Sequence, residues 1–178
     1  SDNIWRHNRR MEPHNSIQLN KPRRGDGPAM RVIARDTGVL SVNSAYYYAM
    51  MARCFSDTCL VARSGEQVCG YIAALFLPAQ PETLFVWQIG VSRAAQGKGI
   101  GKQMLIRLIE RARPAFLEAT IALDNQASLR AFQAAARQMA ADATFSDKPF
   151  FTQSDMGSTD APEHLMRIGP IQLLKQNA

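Results

Sequence analysis

The sequence predicts one α/β domain: a single mixed, twisted sheet with helices on both faces. Three observations carry this expectation. Strand-like runs with turn punctuation dominate the stretch before residue 92. A glycine-rich segment, Gln96-Gly97-Lys98-Gly99-Ile100-Gly101, joins an apolar run to an amphipathic one. A further strand and helix then follow. Antiparallel strands ahead of βαβ units fold into one mixed sheet. The 178 residues suffice for one domain with a sizeable core.

In chain order, residues 1–27 come first, with six basic residues (Arg6, Arg9, Arg10, Lys21, Arg23, Arg24) against Asp2, Glu12 and Asp26. The stretch is polar and aperiodic, so it reads as a basic, disordered arm, with the folded domain over 28–178. Ala29 to Ala34 is read as a first strand, and Thr37-Gly38 as a turn. From Ser44 to Phe55, Ala45, Tyr46, Ala49 and Met50 recur at helical spacing. Thr58 to Arg63 and Val68 to Leu77 form a hairpin about Ser64-Gly65. Pro78 and Pro81 interrupt the chain before a fourth strand, Thr83 to Val91.

From Ile100 to Ala112, residues Ile100, Met104, Leu105, Leu108 and Ile109 make one apolar helical face, which Pro114 ends. Ala115 to Leu123 is a fifth strand. Asp124 or Asn125 caps a helix over Gln126 to Ala140. The rest is loop-rich, with strands indicated near Phe150 and from Leu165 to Ile171. No internal repeat or second domain is evident.

Composition narrows the function classes. A hydrophobic fraction of 46% is ordinary for a globular chain. No apolar run approaches the roughly 20 residues that span a bilayer, and the N-terminal stretch has no apolar signal core. Cys54, Cys59 and Cys69 are odd in number and set among apolar residues, as expected of reduced core thiols in a cytoplasmic protein. The net charge of +6 owes much to the arm, which reads as a solvated tail and not a nucleic-acid contact. His7, His14 and His164 are the only histidines, and no cysteines are paired in sequence, so no metal site is expected.

The glycine segment carries the chemistry. A strand, a glycine turn and a helix start form an anion cradle of backbone N–H groups. It is not a dinucleotide fingerprint, because Lys102 holds the third glycine position. Nor is it a P-loop, because Ser92 and Gly99 stand where a glycine and a hydroxyl residue are needed. The remaining pattern is [Q/R]-x-x-G-x-[G/A], with Gln96, Gly99 and Gly101 in the fixed places. It resembles the acetyl-CoA pyrophosphate loop of the Gcn5-related N-acetyltransferases.

That resemblance implies their fold and acetyl-CoA as co-substrate. The diphosphate would lie on Gln96, Gly97, Lys98, Gly99, Ile100 and Gly101. The pantetheine arm would pair with Ile89, Gly90 and Val91 in a gap between the fourth and fifth strands. A fixed N–H beside the thioester would polarise its carbonyl. Asn125 with Ser128 resembles the family's N-x-x-A cofactor element. Phe132 stands where many members carry a tyrosine that protonates the departing thiolate.

Longer strings narrow the match. Val42-Asn43-Ser44 with Tyr46 and Tyr48, the run Thr83 to Val91, Leu117 to Ile121, and Arg167-Ile168-Gly169-Pro170 are similar to the L-2,4-diaminobutyrate acetyltransferases of ectoine formation. By that resemblance the substrate is a small diamino acid, acetylated on its 4-amino group, and the protein is a homodimer.

Such a substrate needs an acidic partner, and Glu118 in the fifth strand is the first choice for the catalytic role. It would hold an amino group or draw off its proton, as a buried carboxylate needs a partner. Amines with pKa near ~10 must lose a proton before attack. Glu163 is a second acidic candidate, Trp87 a wall for an ammonium, and Tyr46 a contact from the first helix. His164 is a weaker candidate. Ser41 stands where the family carries an Asp that helps hold the amine. Two other readings remain open: an acetyltransferase of another diamine or a protein lysine, and a non-catalytic acyl-CoA-binding module.

Overall fold

A computed structural model describes residues 16–172. The chain runs β1 (Gln18–Asn20), α1 (Gly27–Thr37), α2 (Ala45–Arg53), β2 (Leu60–Ser64), β3 (Gln67–Leu77), β4 (Gln80–Val91), α3 (Ile100–Ala112), β5 (Phe116–Ala122), α4 (Gln126–Gln138), β6 (Ala143–Phe145), α5 (Gln153–Met156) and β7 (Glu163–Ile168). The strands form one seven-stranded sheet ordered β1-β2-β3-β4-β5-β7-β6. Every described neighbouring pair is antiparallel except β4 with β5.

Side-chain alternation along the strands splits the core in two. On one face Leu60, Ile72, Leu84, Leu117 and Ile168 meet α3 and α4. On the other, Val61, Tyr71 and Ala73 meet Met30 and Ile33 of α1 and Tyr48 and Met51 of α2. Ile100, Met104, Leu105, Leu108 and Ile109 are all buried, so the predicted face of α3 packs inward. Each such side chain contributes about 1.5–3 kcal/mol of transfer free energy.

Several expectations are corrected. Residues 29–34 are helix, not strand: Met30, Ile33 and Ala34 repeat at helical spacing and are buried. Pro28 stands in the first turn of α1, and Gly38 ends the helix at φ 72 with its N–H on the Arg35 carbonyl. The supposed arm is ordered from residue 16, since β1 pairs with β2 from Gln18↔Arg63 to Asn20↔Val61. Residues 1–15 lie outside the described residues. Pro81 lies inside β4, and Pro78-Ala79 makes the turn, with Leu77 opposite Gln80. Near Phe150 there is only a single bridge, Phe151 to Glu163; the additional strand is β6. Cys59 and Cys69 are buried, but Cys54 is exposed at the end of α2.

The start of α1 is tied to β2 by a buried ion pair. Asp26 Oδ2 accepts from the Arg63 guanidinium and from the Arg23 N–H at 2.6 Å. Arg63 is only 4% exposed. Asp26→Ala leaves that cation without its partner. The substitution is expected to cost about 3–5 kcal/mol, read as a lowered urea midpoint with the unfolding slope unchanged.

Candidate active site

The site begins with a fault in the sheet. Along the β3–β4 ladder, Ala73 faces Gln88 while Ala74 faces Val86, so Trp87 is an extra residue on β4. Such a bulge bends its strand and ends regular pairing. Pairing of β4 with β5 stops at the same place, the last partners being Val86 and Ala119. Beyond it the two strands part, and two cavities of about 730 and 660 Å³ open. They share Val39, Leu40, Ile89, Asn125 and Ser128 as common walls.

The smaller cavity is built on the glycine segment. Ile89, Gly90, Val91, Gln96, Gly97, Gly99, Ile100, Gly101 and Asn125 all line it. Lys98 does not; it is exposed, and the charged residues that line the cavity are Lys102, Arg130 and Asp124. Gln96 folds the loop back by donating its amide to the Val91 carbonyl at 3.1 Å. Gly99 precedes the helix at φ 72, a conformation that a side chain disfavours. The first α3 N–H with an intrahelical acceptor is that of Gln103, on the Gly99 carbonyl at 3.1 Å. The N–H groups before it, with the helix dipole and two cations, suit a diphosphate. Gly90 is required by packing: a Cβ there would sit 2.9 Å from Tyr71 Cε1 and against Ile33 and Leu40.

The larger cavity receives the amine candidates. Ser41, Trp87, Glu118 and Glu163 all line it, from the α1–α2 loop, β4, β5 and β7. Glu118 is 5% exposed, and its Oε1 accepts from Arg167 directly across the β5–β7 ladder. Arg167 in turn lies over the Phe116 ring, 3.8 Å from its centre. Glu163 begins β7 and accepts from the Thr120 hydroxyl, so it is a strand residue and not a solvated loop carboxylate. Trp87 is half exposed, with Tyr47 edge-on to its ring at 4.7 Å.

Two candidates fall away from the cavity. Tyr46 is 74% exposed on the outer face of α2; Tyr47 and Tyr48 are the tyrosines that turn inward. His164 is buried on the opposite face of β7, with Nδ1 2.8 Å from the Ser146 carbonyl and its ring near Phe145. Phe132 is fully buried and forms part of the cavity wall.

The residue that sequence reasoning passed over is Gln88. Its Oε1 accepts from Tyr48 at 3.1 Å and Tyr71 at 2.8 Å, while its Nε2 donates to the Ser41 carbonyl at 2.6 Å. Burial pushes the Tyr71 phenol well above its ordinary value, which keeps it a donor. One buried amide thus fixes the loop that carries Val39, Leu40 and Ser41. A glutamine in an otherwise apolar strand was the signal. Phe150, Phe151, Asp155 and Met156, on and before α5, add a rim that the loop-rich tail did not disclose. Among the described residues no group of His, Cys, Asp and Glu is placed to hold a metal ion. No described helix is long and apolar enough to cross a membrane.

The chain is similar to known proteins over most of its length. The acetyltransferase (GNAT) family matches residues 28–136. The L-2,4-diaminobutyric acid acetyltransferase of Shouchella clausii is 39% identical over 159 residues, covering 88% of each chain. That of Bordetella parapertussis is 38% identical, covering 85% of this chain and 83% of the relative. The diaminobutyrate acetyltransferase of Paenibacillus lautus was solved with its substrate L-2,4-diaminobutyric acid and coenzyme A. It superposes with a TM-score of 0.81 at 33% identity, over 89% of this chain and 98% of that one. The chain belongs to the acetyltransferase (GNAT) family and, within it, to the L-2,4-diaminobutyric acid acetyltransferases.

Proposed function

We infer that the protein transfers the acetyl group of acetyl-CoA to the 4-amino group of L-2,4-diaminobutyrate, giving the N4-acetyl product used in ectoine synthesis. One observation carries this reading. An anion cradle and an acid-lined cavity meet at a single seam where β4 leaves β5. A thioester carried on a diphosphate and a small ammonium compound can each be held by its own compartment and meet there.

The roles follow from the surroundings. The amides of Gln96 to Gly101 hold the diphosphate. Backbone groups of Ile89, Gly90 and Val91, unpaired with β5, hold the pantetheine arm. Glu118 has one oxygen on Arg167 and offers the other to the incoming amine. Glu163 and Trp87 complete an acidic and aromatic enclosure for the second ammonium. Attack is direct, without an acetyl-enzyme. Burial pushes the Cys59 thiol up to about 11 and raises that of Cys69, so both stay protonated and poorly nucleophilic near neutrality. A cytoplasmic homodimer that binds neither membrane nor nucleic acid completes the reading.

Three measurements test it. Mixed with acetyl-CoA and a panel of amines, the protein is expected to release coenzyme A with diaminobutyrate and yield a product acetylated on the 4-nitrogen by fragment mass. Turnover with another amine alone would overturn the substrate; absence of coenzyme A binding would overturn the whole reading.

Ser41→Asp returns a charge to the amine enclosure. A charge-assisted contact is worth about 1.5 kcal/mol, so KM for diaminobutyrate is expected to fall roughly tenfold with little change in kcat.

Glu118→Gln keeps the shape and removes the charge. Its kcat/KM for the amine is expected to fall roughly 10²-fold at neutral pH, with coenzyme A affinity unchanged. The deficit narrows toward pH ~10, where the free amine needs no base. An equal deficit at every pH assigns Glu118 to binding alone.

A further inference from the structure

We propose that the Ser128 hydroxyl relays a proton from the attacking nitrogen to the departing sulfur, the step for which Phe132 has no proton. The proposal rests on the acetyl-transfer reading above, and it starts from the seam between the two cavities.

Of the residues that line both compartments, Val39, Leu40 and Ile89 are apolar, leaving Asn125 and Ser128. The reacting carbon and sulfur belong at this seam, since the diphosphate cradle lies on one side and the acidic enclosure on the other. Asn125 caps α4 by accepting from the Ser128 N–H at 3.2 Å, so its carbonyl oxygen is engaged. Its amide can donate a hydrogen bond but cannot pass a proton on. Ser128 has a hydroxyl, which both accepts and donates. Among the described residues that hydroxyl has no partner, and only its backbone N–H is used in the cap. Phe132 stands one helical turn further on, fully buried, walling the same cavity with a ring that holds no exchangeable proton.

The amine enters the step neutral, having lost one proton beforehand. As the nitrogen–carbon bond forms and the carbon–sulfur bond breaks, the sulfur keeps the bonding pair. One N–H proton passes to Ser128 Oγ while the hydroxyl's own proton passes to the sulfur. The products are the amide and the free thiol, and Ser128 is unchanged. The cap holds the first turn of α4, and with it the hydroxyl, in place. Ser128 is therefore a catalytic residue, and Asn125 its positioning residue.

Ser128→Ala and Ser128→Thr separate this role from a packing role. Alanine is the better helix former, so α4 is retained. The alanine variant is expected to lose roughly 10²-fold in kcat with the Kd for coenzyme A unchanged by calorimetry. The threonine variant is expected to recover most of the loss. A readout independent of turnover is the thiol of bound coenzyme A, followed by thiolate absorbance in the ultraviolet. A hydroxyl donating to the thiolate lowers its pKa, so Ser128→Ala is expected to raise it by about one unit. An alanine variant within twofold of the parent kcat, or an unmoved thiol titration, overturns the relay. So does a kcat loss matched by lost coenzyme A affinity. If the parent protein itself fails to acetylate any amine, the underlying acetyl-transfer reading is what has failed.

Discussion

Backbone pairing between β4 and β5 can persist only while the two strands keep step, and the added residue at Trp87 takes β4 out of step. Every main-chain donor and acceptor beyond Val86 on that edge then needs a partner other than β5. A buried edge of unpaired peptide groups is costly unless something extended comes to lie along it. The cleft is thus a demand built into the sheet, one that an extended ligand with amides of its own is suited to meet. The glycine loop and the acid-lined cavity matter because they sit at the two ends of this gap.

The charges around the gap differ on its two sides. On the cradle side main-chain dipoles at the start of α3 stand with Lys102 and Arg130, and Asp124 is the one carboxylate among the described lining residues. In the larger cavity carboxylates are anchored across the β5–β7 pair, Glu118 on Arg167 and Glu163 on Thr120. Anchoring from one side leaves each carboxylate with an oxygen for a ligand while removing its freedom to turn away. The acidic wall of the larger cavity is consequently set by strand register: a one-residue slip of β7 would carry both Glu163 and Arg167 to the opposite face.

Much of this was legible in the chain. The helix over Ile100 to Ala112 and the strands around it follow from strong periodicity and clear punctuation. The spacing of Gln96, Gly99 and Gly101 and the lone carboxylate Glu118 in an apolar strand singled out residues that the fold places on the walls of two adjoining cavities. Other features were hidden for physical reasons. Ala29 to Ala34 is short enough that apolar content reads as strand, and only Pro28 and Gly38 disclose α1. β1 is three residues long and exists through pairing with β2, which no local signal records. Tyr46, Tyr47 and Tyr48 are alike in chemistry, so which faces Trp87 depends on the rotation of α2. The role of Gln88 depends on two tyrosines and a loop carbonyl far away in sequence, brought together only by the fold.

The loop between α1 and α2 has one more consequence. Val39 and Leu40 belong to both compartments, and the buried amide of Gln88 grips the next residue by its carbonyl. A wall held in common cannot be altered for one compartment alone: a larger or smaller side chain at Val39 or Leu40 changes the shape of both.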